Sequence, residues 1–341
     1  MQKVLLATPH MPPTPGGPSI HAKKLAEHFK FTLFNFEKYK KFPTGLRHIF
    51  AFIEIFLKSF GKEKILVLDA FTVALPSIFV GKLLNKEIIL RVGGDFVYEQ
   101  FLYTKEVDFE SFYKNFHEYK KVFPKKMYIK YLIQKFVLQN AGKIIFNTEW
   151  QKNIFAKHYN LKRENIFVIE NPVEEIDKNI FENEKYENNS KYIFTSITRG
   201  IPYKNQNRVK LAFKNLQQKQ SDKEIYFEDK KGSWENCLKK ISVSRAYICA
   251  SISDIAPNQV LEAVSLKIPI ILTKYSGFTN IFEQAGIAKI VNPFSVEEIE
   301  NAILEMCDEE KYKFYKNNLQ KFSWPQNWNS LYAQYEKILQ K

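Results

Sequence analysis

The chain has 341 residues, of which 45% are hydrophobic, and carries a formal net charge of +14 and only three cysteines. This length allows two domains, the apolar content is that of a globular protein, and the cysteines imply no disulfide framework, which suits a reducing compartment. No run of 18 apolar residues occurs, and residues 50–60 (FAFIEIFLKSF) are interrupted by Glu54 and Lys58, so we expect an amphipathic helix there and no membrane span.

The positive charge is concentrated in the first half. Residues 1–160 contain 25 Lys/Arg and 13 Asp/Glu, against 26 and 24 in the remainder. Such a distribution indicates an anionic partner: a lipid surface, a lipid-linked phosphate or a nucleic acid. It is equally compatible with AT-rich coding, because only six of the 51 basic residues are arginine.

Strands and helices alternate through the first half. We predict helices at 20–29, 73–84 and 125–139, and strands at 3–7, 65–68, 87–92, 143–147 and 166–169. This alternation predicts a parallel sheet with helices on both faces, and such sheets bind ligands at the carboxyl ends of their strands.

The first loop, Thr8–Pro18, is rich in proline and contains Gly16 and Gly17. Glycine lets the backbone approach a ligand closely, and Ser19 is the expected N-cap of the following helix. The loop is not G-x-G-x-x-G, and the chain has no Walker motif, which argues against a dinucleotide enzyme or a phosphate-loop NTPase.

The strand at 87–92 is followed by Gly93–Glu99 (GGDFVYE). Asp95 and Glu99 are candidates for binding a ligand at this strand end or accepting a proton; the alternative is a helix-capping Asp and an exposed Glu. Residues 100–124 form an aromatic, charged insertion, either a lid or part of a binding site. The helix at 125–139 mixes lysines with large apolar residues, which is typical of a membrane-surface helix or of a core helix with a solvated edge.

In the second half, the sequence predicts strands at 192–198, 225–227, 246–250 and 268–272. Arg199 and Lys204 follow the first of these, where fixed cations could stabilise a leaving group that gains negative charge. The alternative is two surface cations.

Residues 253–263 (SDIAPNQVLEA) connect two of these strands. Pro257 suits a helix start, where the amides of Asn258, Gln259 and Val260 have no intrahelical acceptor and can bind a phosphate. Glu262 lies on the same helical face as Asn258 and can accept hydrogen bonds from ribose hydroxyls. Asp254, eight residues earlier, lies on the loop side; the alternative is an ordinary crossover with a polar loop.

The segment from Asp254 to Glu262 resembles the E-x7-E signature of the family-4 (group 1) retaining glycosyltransferases, which have the GT-B fold. The departure is Asp254 in place of the first Glu, one methylene shorter. The resemblance implies that Asp254 contacts the donor sugar, Glu262 binds the nucleotide ribose, and the amides between them bind the diphosphate.

Further roles are implied by the same resemblance. Arg199 and Lys204 would neutralise the diphosphate, and Gly16 and Gly17 would contact the donor phosphates and the acceptor. Asp95, Tyr98 and Glu99, in a segment similar to the GD-x-x-(W/Y)-E of a bacterial branch of the family, would bind the acceptor. The catalytic candidates are therefore Asp254, Arg199, Lys204 and Asp95, and Glu228 and Trp234 are the candidates for the base pocket.

The resemblance implies two doubly wound Rossmann-like domains facing a central cleft, with a C-terminal helix that crosses back to the N-terminal domain. We expect an acceptor domain at residues 1–171 together with about 325–341, a linker at 172–190 and a nucleotide-sugar domain at 191–324.

The expected function is retaining transfer of a sugar from a nucleotide diphosphate sugar to a glycan, lipid-linked or other hydroxyl acceptor. The resemblance points to cell-surface polysaccharide or glycolipid assembly, in the cytoplasm or at the inner face of the membrane. No cofactor, metal or nucleic acid is expected, and an anionic membrane surface is a candidate partner. The alternatives are a nucleotide-sugar epimerase or hydrolase, a degenerate non-catalytic GT-B protein, and a basic surface protein that binds membrane or nucleic acid.

Overall fold

The computed structural model describes residues 3–14, 16–173, 176, 181, 191–198, 200–219, 224–230 and 232–340. Contacts between Cα atoms divide the chain into two compact units. Unit 1 comprises the described residues up to Gln100, Phe112–Glu170 and those from Asn329 onward, and unit 2 comprises Phe101–Ser111 and Asn171–Trp328. Most of the predicted linker, 172–190, lies outside the described residues.

Unit 1 contains a six-stranded parallel sheet. Its strands are β1 (Val4–Thr8), β2 (Thr32–Asn35), β3 (Lys64–Val67), β4 (Glu87–Val92), β5 (Lys143–Phe146) and β6 (Ile166–Val168). They lie in the order β2-β1-β3-β4-β5-β6. The four central strands, β1, β3, β4 and β5, are mostly buried apolar runs, as expected when helices cover both faces of a sheet. The helices in this part of the chain are α1 (Gly17–Phe29), α2 (Thr44–Lys58), α3 (Ala74–Leu84), α4 (Phe96–Phe101), α5 (Phe109–Lys114), α6 (Phe116–Tyr119), α7 (Lys125–Asn140) and α8 (Glu149–Tyr159). The boundary between the two units falls within α5, at Phe112.

The strand order fixes which helices share a face of this sheet. The chain moves from β1 to β2 in one direction across the sheet, and from β2 through β3 and β4 to β5 in the other. Because such crossovers are right-handed, α1 lies on one face of the sheet, and α2, α3 and α7 lie on the other. Helix α3 contacts α2 on one side and α7 on the other.

Unit 2 contains a five-stranded parallel sheet. Its strands are β7 (Lys191–Thr195), β8 (Glu224–Glu228), β9 (Ala246–Cys249), β10 (Ile270–Thr273) and β11 (Ala288–Val291). They lie in the order β11-β10-β9-β7-β8. The helices are α9 (Gln206–Gln218), α10 (Trp234–Ser242), α11 (Asn258–Ser265), α12 (Thr279–Gln284), α13 (Val296–Cys307) and α14 (Glu309–Lys321). Two apolar clusters lie on opposite faces of the sheet: one joins α9 and α13 to it, and the other joins α10, α11 and α12.

The last helix, α15 (Trp328–Gln340), packs in unit 1. Its Tyr335 is fully buried and lies with its hydroxyl oxygen 3.2 Å from His21 Nε2 of α1. Arg91 Nη1 of β4 donates a hydrogen bond of 3.1 Å to the same oxygen. The expected architecture of two parallel-sheet Rossmann-like domains, with a C-terminal helix that returns to the first, is confirmed.

No helix within the described ranges is long and apolar enough to cross a bilayer.

Candidate functional site

The loop that carries Asp254 is held beside the turn that follows β10. The Asp254 amide donates to the carbonyl oxygen of Tyr275 (3.0 Å), and the Gly277 amide donates to that of Ile255 (3.2 Å). These bonds fix Asp254 just beyond the carboxyl end of β9, which is where parallel sheets bind their ligands.

Lys204 belongs to a short turn that is attached to the same end of β9. Its successor Asn205 adopts a left-handed conformation (φ 57°) that Asn tolerates better than most residues. The Asn205 side-chain amide donates to the carbonyl oxygens of Ala250 (2.8 Å) and Pro293 (2.7 Å). In addition, the Ile252 amide donates to the Tyr203 carbonyl at 2.8 Å. The turn that presents Lys204 is therefore fixed to the loop after β9.

Lys204 and Asp254 form an ion pair in which the ammonium group donates to Asp254 Oδ2. Both side chains are largely buried, with 17% and 13% of their surface exposed. Burial alone favours the neutral amine, but the Asp254 carboxylate outweighs it and raises the pKa of Lys204 above its ordinary value. Burial, followed by the same carboxylate, raises the pKa of the neighbouring Cys249 thiol to about 12. The structure thus joins two predicted donor-binding residues that lie 50 positions apart.

Helix α11 begins at Asn258, and Pro257 is its N-cap. Had Pro257 been the first residue of the helix, α11 would have started one residue earlier. Asn258 is exposed, whereas the Gln259 side chain accepts a hydrogen bond of 2.9 Å from the Tyr247 hydroxyl. The Val260 amide donates to the Pro257 carbonyl at 3.1 Å, so it is already engaged within the protein. The roles of these three amides in holding a diphosphate stay predictions.

Asn171, the last residue of the predicted acceptor domain, groups with unit 2 and also contributes to this site. Its side-chain amide donates to Asn258 Oδ1 (2.7 Å) and to the Ala256 carbonyl (3.3 Å). Its own carbonyl accepts from Trp324 Nε1 at 3.0 Å. Asn171 therefore supports the corner that leads into α11.

Glu262 lies one turn into α11 and is contacted by a residue proposed for the base pocket. Trp234, the first residue of α10, donates from Nε1 to Glu262 Oε1 at 3.0 Å. Glu228, the other candidate, accepts from the Lys230 amide (2.8 Å) and from Lys240 Nζ (3.0 Å). Trp234 therefore lies beside Glu262, the residue predicted to bind the ribose. The roles of Trp234 and Glu228 in a base pocket stay predictions.

Arg199 lies outside the described residues, so its predicted place beside Lys204 stays a prediction.

In unit 1, Gly16 is the N-cap of α1 and adopts φ 122°, a conformation that favours glycine over residues with a side chain. Gly17 is the first residue of the helix. The expectation that Ser19 caps this helix is wrong: Ser19 lies within it, and its hydroxyl donates back to the carbonyl oxygens of Thr14 (2.5 Å) and Gly16 (2.9 Å). The helix starts earlier because Pro18, which disrupts a helix interior, fits the first turn.

Asp95 lies at the carboxyl end of β4 and is almost completely buried. Its carboxylate accepts from the Val97 amide (3.0 Å), the Tyr98 amide (3.3 Å), Gln134 Nε2 (3.0 Å) and the Tyr113 hydroxyl. Burial raises its pKa, although the hydrogen bonds from Tyr113 and Gln134 act in the opposite direction. The geometry is that of a helix cap inside a buried network, and an acceptor contact by Asp95 stays a prediction.

Tyr98 and Glu99 occupy the start of α4. Tyr98 is 4% exposed and packs against Phe112, with ring centroids 5.3 Å apart. Glu99 is partly exposed, and its amide donates to the Asp95 carbonyl at 2.9 Å. Of the three predicted acceptor-binding residues, Glu99 is therefore the one whose side chain is not buried. The acceptor-binding roles of Tyr98 and Glu99 stay predictions.

Part of the aromatic insertion groups with unit 2. The buried Phe109 amide donates to Ser253 Oγ at 2.9 Å, and Ser253 directly precedes Asp254. Glu106 forms an ion pair with Arg208 of α9, with Oε2 and Nη2 2.6 Å apart. Residues 101–111 therefore support the Asp254 loop, a role that no periodicity in the sequence indicates.

Comparison with solved structures identifies the fold. The chain is similar to HepE of Anabaena in complex with UDP, with a TM-score of 0.67 and 12% identity over 99% of both chains. It is similar to WaaG, a glycosyltransferase involved in lipopolysaccharide biosynthesis (0.69, 12%, 98% of this chain and 99% of that one). It is also similar to sucrose-phosphate synthase from Thermosynechococcus elongatus (0.68, 13%, 100% and 98%). The predicted GT-B fold is confirmed over nearly the whole chain.

Residues 225–322 match the family model described as "Glycosyl transferases group 1". The matched segment contains Asp254, α11 and Glu262, and lies entirely in unit 2. The comparison with curated protein sequences found no match.

Proposed function

We propose that the protein is a glycosyltransferase that moves a sugar from a nucleotide diphosphate sugar to a hydroxyl acceptor with retention of anomeric configuration. The observation that carries the proposal is the group 1 family match over residues 225–322, which includes both acids of the D-x7-E segment. A uridine nucleotide is the first donor to test, because the similar HepE structure contains UDP.

The geometry of the site in unit 2 supports the donor-binding part of this proposal. Asp254 holds the Lys204 ammonium group near the carboxyl end of β9. From there Lys204 can bind the diphosphate together with Arg199. The start of α11 adds a helix dipole that favours the same anion. Glu262 binds the ribose, with its carboxylate oriented by Trp234. Asp254 contacts the transferred sugar. The proposed contact of Gly16 and Gly17, in unit 1, with the donor phosphates rests on the family resemblance alone.

In the proposed reaction, the bond between the anomeric carbon and the diphosphate oxygen breaks as the acceptor oxygen attacks from the same face. The acceptor proton passes to the departing phosphate oxygen. Lys204 and Arg199 stabilise the negative charge that develops on the leaving group, which is the role that fixed charges perform best in a catalytic site. The proposal requires no metal, because these two cations supply the positive charge.

The acceptor is proposed to be a glycan or a lipid-linked sugar, in keeping with the similarity to a protein of lipopolysaccharide biosynthesis. Glu99 is the acceptor-binding candidate with an accessible side chain, and Asp95 positions the backbone of α4 beneath it.

The first experiment is thermal unfolding in the presence of UDP, GDP, ADP, dTDP or CMP. A ligand present at about a hundred times its dissociation constant stabilises the protein by about 2.7 kcal/mol, which shifts the midpoint by several degrees. We expect one nucleotide, UDP first, to give a selective shift. Its sugar conjugates are then tested for transfer.

Two variants assign the site. Lys204→Ala should abolish most of the shift, because a charge-assisted contact to the diphosphate is lost, whereas Lys214→Ala on the exposed side of α9 should not. Glu262→Gln should weaken UDP but not inorganic pyrophosphate, and Glu283→Gln is the matched control.

The proposal fails if no nucleotide shifts the midpoint, which would indicate a degenerate site. It also fails if free sugar is released rapidly, without acceptor and in equal amount to nucleotide, which would indicate a hydrolase.

A further inference from the structure

The outer side of α2 in unit 1 is apolar. Ala51 and Ile55 face the core, whereas Leu46, Ile49, Ile53, Leu57 and, just beyond the helix, Phe60 are exposed by 48–61%. These exposed positions recur every three or four residues, so they form one stripe along the helix. A helix on the surface of a globular protein ordinarily places charged and polar residues there, and an all-round apolar helix is ordinarily covered.

The two neighbouring helices on the same face extend this stripe. On α3, Phe79 and Leu83 are 48% and 65% exposed, and on α7 the exposed apolar residues are Tyr128, Ile129 and Leu132. Because α3 lies between α2 and α7, the three helices present one apolar surface, which we call the α2–α3–α7 surface. Extended exposed apolar patches are uncommon on monomeric proteins and mark sites of association.

The charges on these helices are almost all positive. Together α2, α3 and α7 contain seven Lys/Arg and one Asp/Glu. The single acid, Glu54, is paired with Lys38 and Lys58. At the start of α7, Lys125 and Lys126 are exposed and follow Val122, which is 71% exposed. Exposed apolar side chains among lysines match the interface of an anionic bilayer, where basic residues are attracted to the lipid phosphates.

We propose that the α2–α3–α7 surface binds an anionic phospholipid bilayer, with its apolar side chains in the acyl boundary and its lysines at the phosphates. The charge complementarity favours a bilayer over a second copy of this chain, because two such surfaces would repel each other. The inference is independent of the proposed function, since no residue of the donor site lies on these helices.

The test is co-sedimentation of the full chain with vesicles of phosphatidylcholine alone, and with vesicles in which one third of the lipid is phosphatidylglycerol. We expect binding to the anionic vesicles that weakens at high salt. Ile53→Asp with Leu57→Asp should lower the vesicle affinity by at least roughly tenfold, and Lys125→Glu with Lys126→Glu should do so for anionic vesicles. The matched control is Leu211→Asp with Leu304→Asp, two leucines of unit 2 that are 44% and 41% exposed.

A second measurement is independent of any variant. Hydrogen exchange of the unaltered chain should slow in the exposed turns of α2 and α7 when anionic vesicles are added. The absence of vesicle binding, or equal binding by the Ile53→Asp/Leu57→Asp variant, would overturn the proposal. A dimer in sedimentation velocity that this variant dissociates would assign the surface to a second copy instead. The nucleotide-induced thermal shift tests the proposed function and not vesicle binding. Measuring it for each variant therefore separates a failure of the membrane proposal from a failure of the proposed function.

Discussion

At the scale of single residues, the pair formed by Lys204 and Asp254 determines the electrostatics of the donor site. Each side chain is largely buried, and each is the other's countercharge. An ammonium group whose pKa is raised in this way stays cationic throughout the physiological range. A bound diphosphate would therefore always meet a positive charge at this position.

Lys204→Met should lower the free energy of unfolding of unit 2 by about 3 kcal/mol, because it leaves the Asp254 carboxylate largely buried beside an apolar side chain. The double variant Lys204→Met/Asp254→Leu should be less destabilised than the sum of the single variants. Denaturant unfolding followed by tryptophan fluorescence is suitable, because three of the four tryptophans, Trp234, Trp324 and Trp328, lie in unit 2.

Lys210→Met is the control for this cycle, since it breaks a more exposed pair with Asp229, whose side chains are 56% and 31% exposed. Exposed pairs typically contribute 1 kcal/mol or less. Equal effects of Lys204→Met and Lys210→Met would contradict the importance of the buried pair.

At the scale of elements, the loop between β9 and α11 is supported from two directions. Asn171 supports its far end at Asn258, and residues 101–111 support its near end through the bond from Phe109 to Ser253. Ser253 Oγ in turn lies 2.8 Å from the Ile252 carbonyl, to which it donates. The hydroxyl therefore couples the insertion to the residue immediately before Asp254.

Ser253→Ala should accelerate hydrogen exchange in residues 101–111 about fivefold, because a hydrogen bond worth about 1 kcal/mol to the buried Phe109 amide is lost. Mass spectrometry of the peptides that cover this segment measures the effect. Ser242→Ala, which alters a hydroxyl of α10 that bonds within its own helix, should leave the segment unchanged. Unaltered exchange in Ser253→Ala would show that the segment is held by other contacts.

The elements themselves could largely be predicted from the sequence. Short apolar runs such as 87–92 and 246–250 coincide with β4 and β9 to within one residue, because strands buried on both faces leave a local pattern. The cap at Ser19 was predicted wrongly because Pro18 fits the first turn of a helix, so that α1 begins at Gly17 and Ser19 lies inside it. The network around Asp95 could not be foreseen, since Tyr113 and Gln134 come from elements that only the tertiary fold brings together.

At the scale of the whole molecule, the chain returns to its first unit at its C-terminus. Helix α15 brings Tyr335 against α1 and β4, so that elements more than 240 positions apart in sequence share one buried hydroxyl. His21 is neutral there, because burial and then the charge of Arg91 lower its pKa well below the ordinary value. The sequence predicted the return of this helix through a family resemblance, but it gave no sign of the polar group at the contact.

Tyr335→Phe tests how strongly that contact stabilises unit 1. The substitution keeps the ring in the core and removes the oxygen that accepts from Arg91 and lies next to His21. Because a charged donor loses a buried acceptor, we expect a loss of about 2 kcal/mol, which lowers the melting midpoint of unit 1 by roughly 4–8 °C. Far-UV circular dichroism follows the melting, and Trp150, the one tryptophan of unit 1, assigns it to that unit. Tyr128→Phe removes a hydroxyl from a side chain that is 42% exposed and should leave the midpoint unchanged. If both variants melt together, the apolar surface of α15, and not the shared hydroxyl, holds the C-terminal helix on unit 1.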